Sequence, residues 1–219
     1  ITTMQAISNL RNRIEPKFAG LNGEKDNGNG SLMRIAPLIP YIYGLVEEQQ
    51  IQIISEVSSL THRHPRSILA CIFLCKFAIQ YLATKEIPTA FAYTQKEIKY
   101  LLTQEKFKNE CSHFDRLVNL TYEQFRNIAE NDIKSTGYVI DTLEASFWSI
   151  FNNNDFKDSV LCAVNLGYDA DTVGAITGAL AGIIYGHDSI PEEWLNVLAR
   201  KEDIIELANK LDSAIKSNP

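Results

Sequence analysis

The sequence predicts an all-α protein organised as one domain. Three observations lead there. Apolar residues recur at helical spacing along nearly the whole chain, no stretch shows two-residue alternation bounded by turn residues, and no linker rich in Gly, Ser or Pro divides it. With 219 residues, of which 45% are hydrophobic and 22% charged, the chain can bury one large core, and we expect a single compact helical domain over residues 1–219.

The elements follow in order. Residues 2–14 read as a short helix, and residues 16–31 as a loop, because Gly20, Asn22, Gly23, Asn27, Gly28, Asn29 and Gly30 accept positive φ cheaply. Residues 32–43 are apolar but carry Pro37 and Pro40, so a helix there is short or kinked. Residues 47–60 are amphipathic, with Ile51, Ile54, Val57 and Leu60 on one face. A break at residues 61–66 holds His62, His64 and Pro65, and the strongly apolar run 67–83 reads as a buried helix. Pro88 is expected to stop that helix, with another around Phe91, Ile98, Leu101 and Leu102. Helices are then expected over 136–151, 159–166 and 172–185, with turns at 152–154 and 167–171, and a terminal amphipathic pair from Ile190 to near Ile215.

Composition excludes several functions. Twenty-one Lys and Arg against 27 Asp and Glu give a formal charge of -6, which argues against nucleic-acid or anionic-lipid binding, since phosphate binding depends on clustered cations. No run of about 18 apolar residues occurs, so no membrane span is expected. Residues 1–13 lack the apolar core of a signal peptide, and four scattered cysteines suit a reducing cytoplasm.

Two segments carry the chemistry. In Asn165–Gly182, Asp169 and Asp171 stand two apart after Gly167, beside Thr172, where a helix begins. Carboxylate and hydroxyl oxygens in that pattern suit a hard cation such as Mg²⁺ or Mn²⁺, while the plain alternative is an Asp-rich helix cap. Gly174, Gly178, Gly182 and Gly186 recur every four residues, a smooth ridge that lets another backbone approach closely. The second segment, Asp26–Arg34, interleaves Gly28 and Gly30 with Asn27 and Asn29. Its backbone amides, its amide side chains and Ser31 form a plausible pyrophosphate cradle with Arg34 as a nearby cation; a simple Asn-Gly turn is the alternative.

Weaker candidates remain. His62 or His64 could donate to a phosphate or ribose oxygen, and Cys71 and Cys75, one helical turn apart, raise a His/Cys zinc site. The apolar residues between the cysteines favour buried structural thiols. Asp141 and Glu144 share a helix face as a glycosidase pair would, though carboxylates at helix starts commonly cap or pair. No nucleophile elbow supports Ser-His-Asp chemistry.

Four stretches in order, Gly28–Pro37, Leu60–Pro65, Gly137–Ala145 and Ala163–Thr172 with its glycine-spaced helix, resemble the ADP-ribosylglycohydrolase family, which includes the dinitrogenase-reductase-activating glycohydrolases. The resemblance implies an orthogonal all-α domain whose cleft holds two Mg²⁺ or Mn²⁺ ions, and hydrolysis of the C1″ bond between ADP-ribose and a modified side chain or small molecule. Asp169, Asp171 and Thr172 would be metal ligands, with Asp169 and Asp171 catalytic and Asp171 bridging. Asp26, Asn27, Gly28, Asn29, Gly30 and Ser31 would line the diphosphate and proximal ribose. His62 would contact the phosphate or adenosine, and Gly137 and Tyr138 would form pocket wall. The implied partner is ADP-ribose or an ADP-ribosylated protein or small molecule, met by a monomer.

The sequence departs from the family in one respect. The Gly-Asp-x-x-Gly and Thr-Asp-Asp motifs of the family's N-terminal region do not occur here, so the domain is expected to be N-terminally incomplete and its metal shell partial. The chain is then most of a hydrolase, a relative that binds ADP-ribose without cleaving it, or a structural relative like the lens crystallins of the family.

Overall fold

A computed structural model describes residues 2–217, and among them the chain is helical, with only two isolated β-bridges, Leu21 with His62 and Gly28 with Tyr138. The helices in order are α1 (Thr2–Arg11), α2 (Pro16–Ala19), α3 (Ile39–Ile42), α4 (Glu47–Ser59), α5 (Pro65–Thr84), α6 (Ile87–Leu101), α7 (Asp115–Asn119), α8 (Tyr122–Arg126), α9 (Val139–Phe151), α10 (Phe156–Asn165), α11 (Ala170–Tyr185), α12 (Glu192–Val197) and α13 (Lys201–Ser217).

Helix α5 is the axis of the fold. Pro65 stands in its first turn, where a missing N–H costs nothing, and the His64 ring accepts the Arg66 N–H as a cap. It is also long and apolar enough to cross a bilayer by length and composition, although Arg66 and Lys76 interrupt it; most of it is buried inside the fold. Aromatic side chains lock it to its neighbours. Phe73 and Phe77 meet Phe147 of α9 edge to face at 5.3 and 4.7 Å, and Phe91 of α6 meets Phe151 at 5.0 Å. Each such pair contributes about 0.5–1.5 kcal/mol beyond the burial of its area.

Several boundaries differ from the sequence reading. Residues 16–19 form one helical turn opened by Pro16 rather than loop. The Lys85 backbone, at φ 59°, ends α5 before Pro88 is reached, and Pro88 sits in the first turn of α6 instead, where its fixed φ suits a helix start. Helix α10 begins at Phe156, because the Asp155 carboxylate accepts the Asp158 N–H and caps it. Helix α9 begins only at Val139, since Thr136 and Gly137 form a bend and Tyr138 is extended to bridge with Gly28 of the loop.

The glycine ridge is half of what was expected. A Cβ on Gly174 would stand 3.0 Å from Val164 Cγ2 and one on Gly178 would stand 3.7 Å from Val160 Cγ2, so these two glycines admit side chains of α10, not a backbone. Nothing lies within 4 Å of a Cβ on Gly182, and Gly186, at φ 85°, ends the helix. The result still serves the site: α11 is pressed against α9 and α10 and its N-terminus is fixed.

Candidate functional site

The site lies where the 20–31 loop crosses the start of α11. Gly20 anchors the loop's near end: its N–H donates to Ser59 O at 2.9 Å, and a Cβ there would meet that same oxygen at 2.4 Å. The far end pairs with residues 137–139, Asn29 N–H donating to Gly137 O and Val139 N–H to Asn27 O, both at 3.0 Å. Between these anchors Asp26 accepts the Gly23 N–H. The N–H groups of Gly28 and Gly30 have no partner among the described residues.

Two side chains assigned to the cradle turn inward. Asn27 accepts from the Ser67 hydroxyl at 3.1 Å, and the fully buried Ser31 hydroxyl meets the Cys71 thiol at 3.5 Å. What these residues offer a ligand is backbone. Arg34 is also a correction: its guanidinium donates to Val57 O at 3.1 Å and to Thr61 Oγ1 at 2.6 Å, so its hydrogen bonds are spent beneath the loop rather than in the cradle. The reason is that a half-buried guanidinium needs acceptors close by. Cys71 and Cys75 sit in the core, and burial pushes both thiols up from their ordinary range.

Asn29 joins the two halves. Its side-chain amide donates to Thr142 Oγ1 at 2.8 Å and to Asp169 Oδ2 at 2.5 Å. Asp169 occupies the N-cap position of α11 yet makes no capping bond, so its carboxylate is diverted into the cleft. The turn that aims it is left-handed at Gly167 and Tyr168 (φ 77° and 51°) and is held by Ser135, whose hydroxyl donates to Leu166 O and Gly167 O while its carbonyl accepts the Asp169 N–H. Tyr168 is 91% exposed, so no side-chain packing offsets the roughly 1 kcal/mol that a non-glycine residue spends there.

Asp171, expected in the turn, stands in the first turn of α11, exposed, with Oδ1 accepting the Thr172 N–H. Thr172 is buried at 6% exposure, and its hydroxyl has no partner among the described residues. No group of three His, Cys, Asp or Glu side chains is placed to hold a metal among the described residues. Asp169, Asp171 and Thr172 fit a hard dication in kind, as oxygen donors, and leave most of a shell of about six oxygens to other groups.

His62 packs under the loop, where a Cβ on Gly30 would stand 2.8 Å from its Cε1. Burial first, then the Arg34 charge, lower its pKa to about 4, so it is neutral near pH 7. Tyr138 forms the next part of the wall, its hydroxyl 3.1 Å from His113 Nδ1 and its ring under the Arg66 guanidinium. Arg66 is in turn held by Glu24 and Glu110, both at 2.7 Å.

Beyond Tyr138 a recess of about 350 Å³ contains Asp141 and Glu144. Asp141 accepts from the Thr136 hydroxyl at 2.6 Å, and Glu144 lies 3.5 Å from Arg116, so both carboxylates are paired. Burial pushes Glu144 up to about 7. Sequence reasoning missed Thr142, Ser135 and Ser67 as supports of the site; Thr142 and Ser67 signal only as small hydroxyls amid apolar helix, and Ser135, in the irregular segment before α9, carries no signal.

A family model described as ADP-ribosylglycohydrolase matches residues 1–219. Among curated proteins, the "ADP-ribosylarginine hydrolase Tri1" of Serratia proteamaculans (strain 568) is 34% identical over 186 residues, 84% of this chain and 46% of that protein. The "ADP-ribosyl-[dinitrogen reductase] glycohydrolase" of Rhodospirillum rubrum is 27% identical over 192 residues, 88% of this chain and 57% of its own length. A solved structure titled "ADP-ribosylglycohydrolase-related protein complex" superposes with a TM-score of 0.78 at 28% identity, covering 96% of this chain and 67% of that one. The chain thus spans about half the length of the curated relatives it matches. The family match over residues 1–219, the 34% identity to the Serratia hydrolase and the shared helical fold together show that this chain belongs to the ADP-ribosylglycohydrolase family.

Proposed function

We propose that this chain forms the cleft of a hydrolase that removes ADP-ribose from a modified side chain or small molecule by breaking the C1″ glycosidic bond. The observation that carries the reading is the Asn29 amide, which spans from the loop to the Asp169 carboxylate and so makes one site of two segments 140 residues apart. The unpaired Gly28 and Gly30 N–H groups suit the diphosphate, which needs donors without bulk. His62 and Tyr138 border the same groove and suit the phosphate and nucleoside portions. Asp169, oriented by Asn29, and the exposed Asp171 face the ribose and its leaving group, where a carboxylate can take a proton from an attacking water or from a ribose hydroxyl.

Asp169, Asp171 and Thr172 would hold Mg²⁺ or Mn²⁺, which supplies Lewis acidity toward the ribose oxygens and the water. Four unpaired cysteines support a reducing, cytoplasmic setting.

The test is release of ADP-ribose from Arg- and Ser-ADP-ribosylated peptides in Mg²⁺ or Mn²⁺, by the chain and by its Asp171→Ala variant. The expected result is release that falls at least about 100-fold in the variant. Equal release by both proteins would remove Asp171 from the chemistry. A second reading, ADP-ribose binding without turnover, is favoured by the absence of a third carboxylate beside Asp169 and Asp171 among the described residues. Calorimetric binding with no release from either peptide would select it.

A further inference from the structure

His62 is 3% exposed, and its two ring nitrogens have different fates. Nδ1 lies 2.8 Å from Thr61 Oγ1. Nε2 has no hydrogen-bond partner among the described residues, and it stands 3.6 and 3.4 Å from where Cβ atoms on Gly28 and Gly30 would be. The glycines therefore leave the Nε2 edge uncovered beneath the loop.

The proton on the imidazole is decided one residue away. Arg34 Nη2 donates to Thr61 Oγ1 at 2.6 Å, and a guanidinium can only donate. The Thr61 oxygen is thus already an acceptor, and its single proton has one acceptor within reach among the described residues, His62 Nδ1. The opposite arrangement, Nδ1–H donating to Thr61, would bring two donors onto the hydroxyl oxygen and leave the hydroxyl proton without a protein acceptor. It would also turn a bare lone pair toward the groove. Arg34 itself is fixed by its second bond, to Val57 O at 3.1 Å. Its charge opposes protonation of the ring, so both nitrogens do not become donors near pH 7.

We propose that Arg34 and Thr61 are positioning residues that lock His62 as the Nε2–H tautomer, so that the groove presents one fixed N–H donor to an oxygen of the bound nucleotide, most suitably a phosphoryl oxygen. This rests on the reading of the groove as an ADP-ribose site. It gives the Arg34 side chain a role different from that of a phosphate-binding cation, and it explains why a buried ring keeps an unpartnered nitrogen. A neutral, preoriented donor recognises an acceptor without the charge that a protonated imidazole would bring.

Two measurements on the ligand-free and titrated chain test it. Long-range ¹H–¹⁵N correlation of the His62 ring is expected to show Nε2 protonated and Nδ1 unprotonated at pH 7 in the unmodified protein and in Thr61→Ser. In Thr61→Val, which keeps the shape and removes the hydroxyl, the two tautomers are expected to mix. Calorimetry with ADP-ribose is expected to show about tenfold weaker binding for Thr61→Val and for Arg34→Met, and near-normal binding for Thr61→Ser. An Nδ1-protonated ring in the unmodified protein, or a tautomer and affinity unchanged by Thr61→Val, overturns the proposal. An Nε2-protonated ring in a chain that does not bind ADP-ribose supports the lock and overturns the reading of the groove on which its ligand rests.

Discussion

The two walls of the cleft are built to different standards. The loop wall is wired into the core: Asn27 to Ser67, Ser31 to Cys71, Gly20 to Ser59, and Gly30 pressed on His62. The acidic wall is held mainly by its turn and by one amide. Asp169 accepts from Asn29, while Asp171 is exposed and the Thr172 hydroxyl is unpartnered among the described residues. Buried polar groups that are satisfied make a rigid cradle, whereas groups left open belong to whatever binds there. One wall has its side chains committed to the core, and the other keeps carboxylate and hydroxyl oxygens free among the described residues.

Substitutions on the two walls should therefore fail in different ways. The largest expected effect is on activity at the acidic wall. Asp171→Ala should cost at least about 100-fold in ADP-ribose release, and yet unfold in urea within about 0.5 kcal/mol of the parent, because an exposed carboxylate contributes little to folding. On the loop wall the order reverses. Gly20→Ala would force a Cβ against the Ser59 carbonyl and should cost about 3 kcal/mol of stability by the same urea measurement. Asn29→Ala couples both walls, and should lose about 2 kcal/mol together with activity, since it removes the bonds that the amide gives to Thr142 and to the Asp169 carboxylate, while the Thr142 hydroxyl keeps its own to Thr136 O and Tyr138 O.

A pH titration sharpens the contrast from the recess beside Tyr138. The Glu144 carboxyl titrates at about 7 in the folded chain against an ordinary 4.5. The folded state therefore holds a proton that the unfolded state has released over that window. Its contribution to stability is whole below pH 4.5 and is lost as pH rises through 7, to the extent of about 3 kcal/mol. Glu144→Gln should flatten stability against pH between those limits. The smallest expected change is a gain: Gly182→Ala meets open space on a helix and should stabilise by about 1 kcal/mol, unlike Gly174→Ala, whose Cβ would crowd Val164.

Much of this was legible in the sequence, and the reason is periodicity. Burial of one helical face writes itself into the chain, so α4, α5 and α11 were readable from residues such as Ile54, Phe73 and Leu180. Helix ends were less so, because Asp155 reads equally as a turn residue and as a cap, and Thr136 to Tyr138 gave no sign of pairing with Gly28. The proximity of Asp169 to the asparagine loop was foreseen through the family resemblance, but the bond that makes it, from Asn29, links residues too distant for any local pattern to reveal. Arg34 shows the limit most clearly. A cation next to a glycine-rich loop suggests phosphate, and only the packing of α4 and the turn after it provides the Val57 carbonyl and Thr61 hydroxyl that claim it.

If the reading is right, loop and acidic helix start form one ligand site. Titrating the chain with ADP-ribose while following backbone amide resonances tests it directly. Gly28, Gly30 and Ser31 are expected to shift together with Asp169, Asp171 and Thr172 along a single binding isotherm. Shifts confined to one of the two segments, or centred on the recess of Asp141 and Glu144 instead, would contradict it.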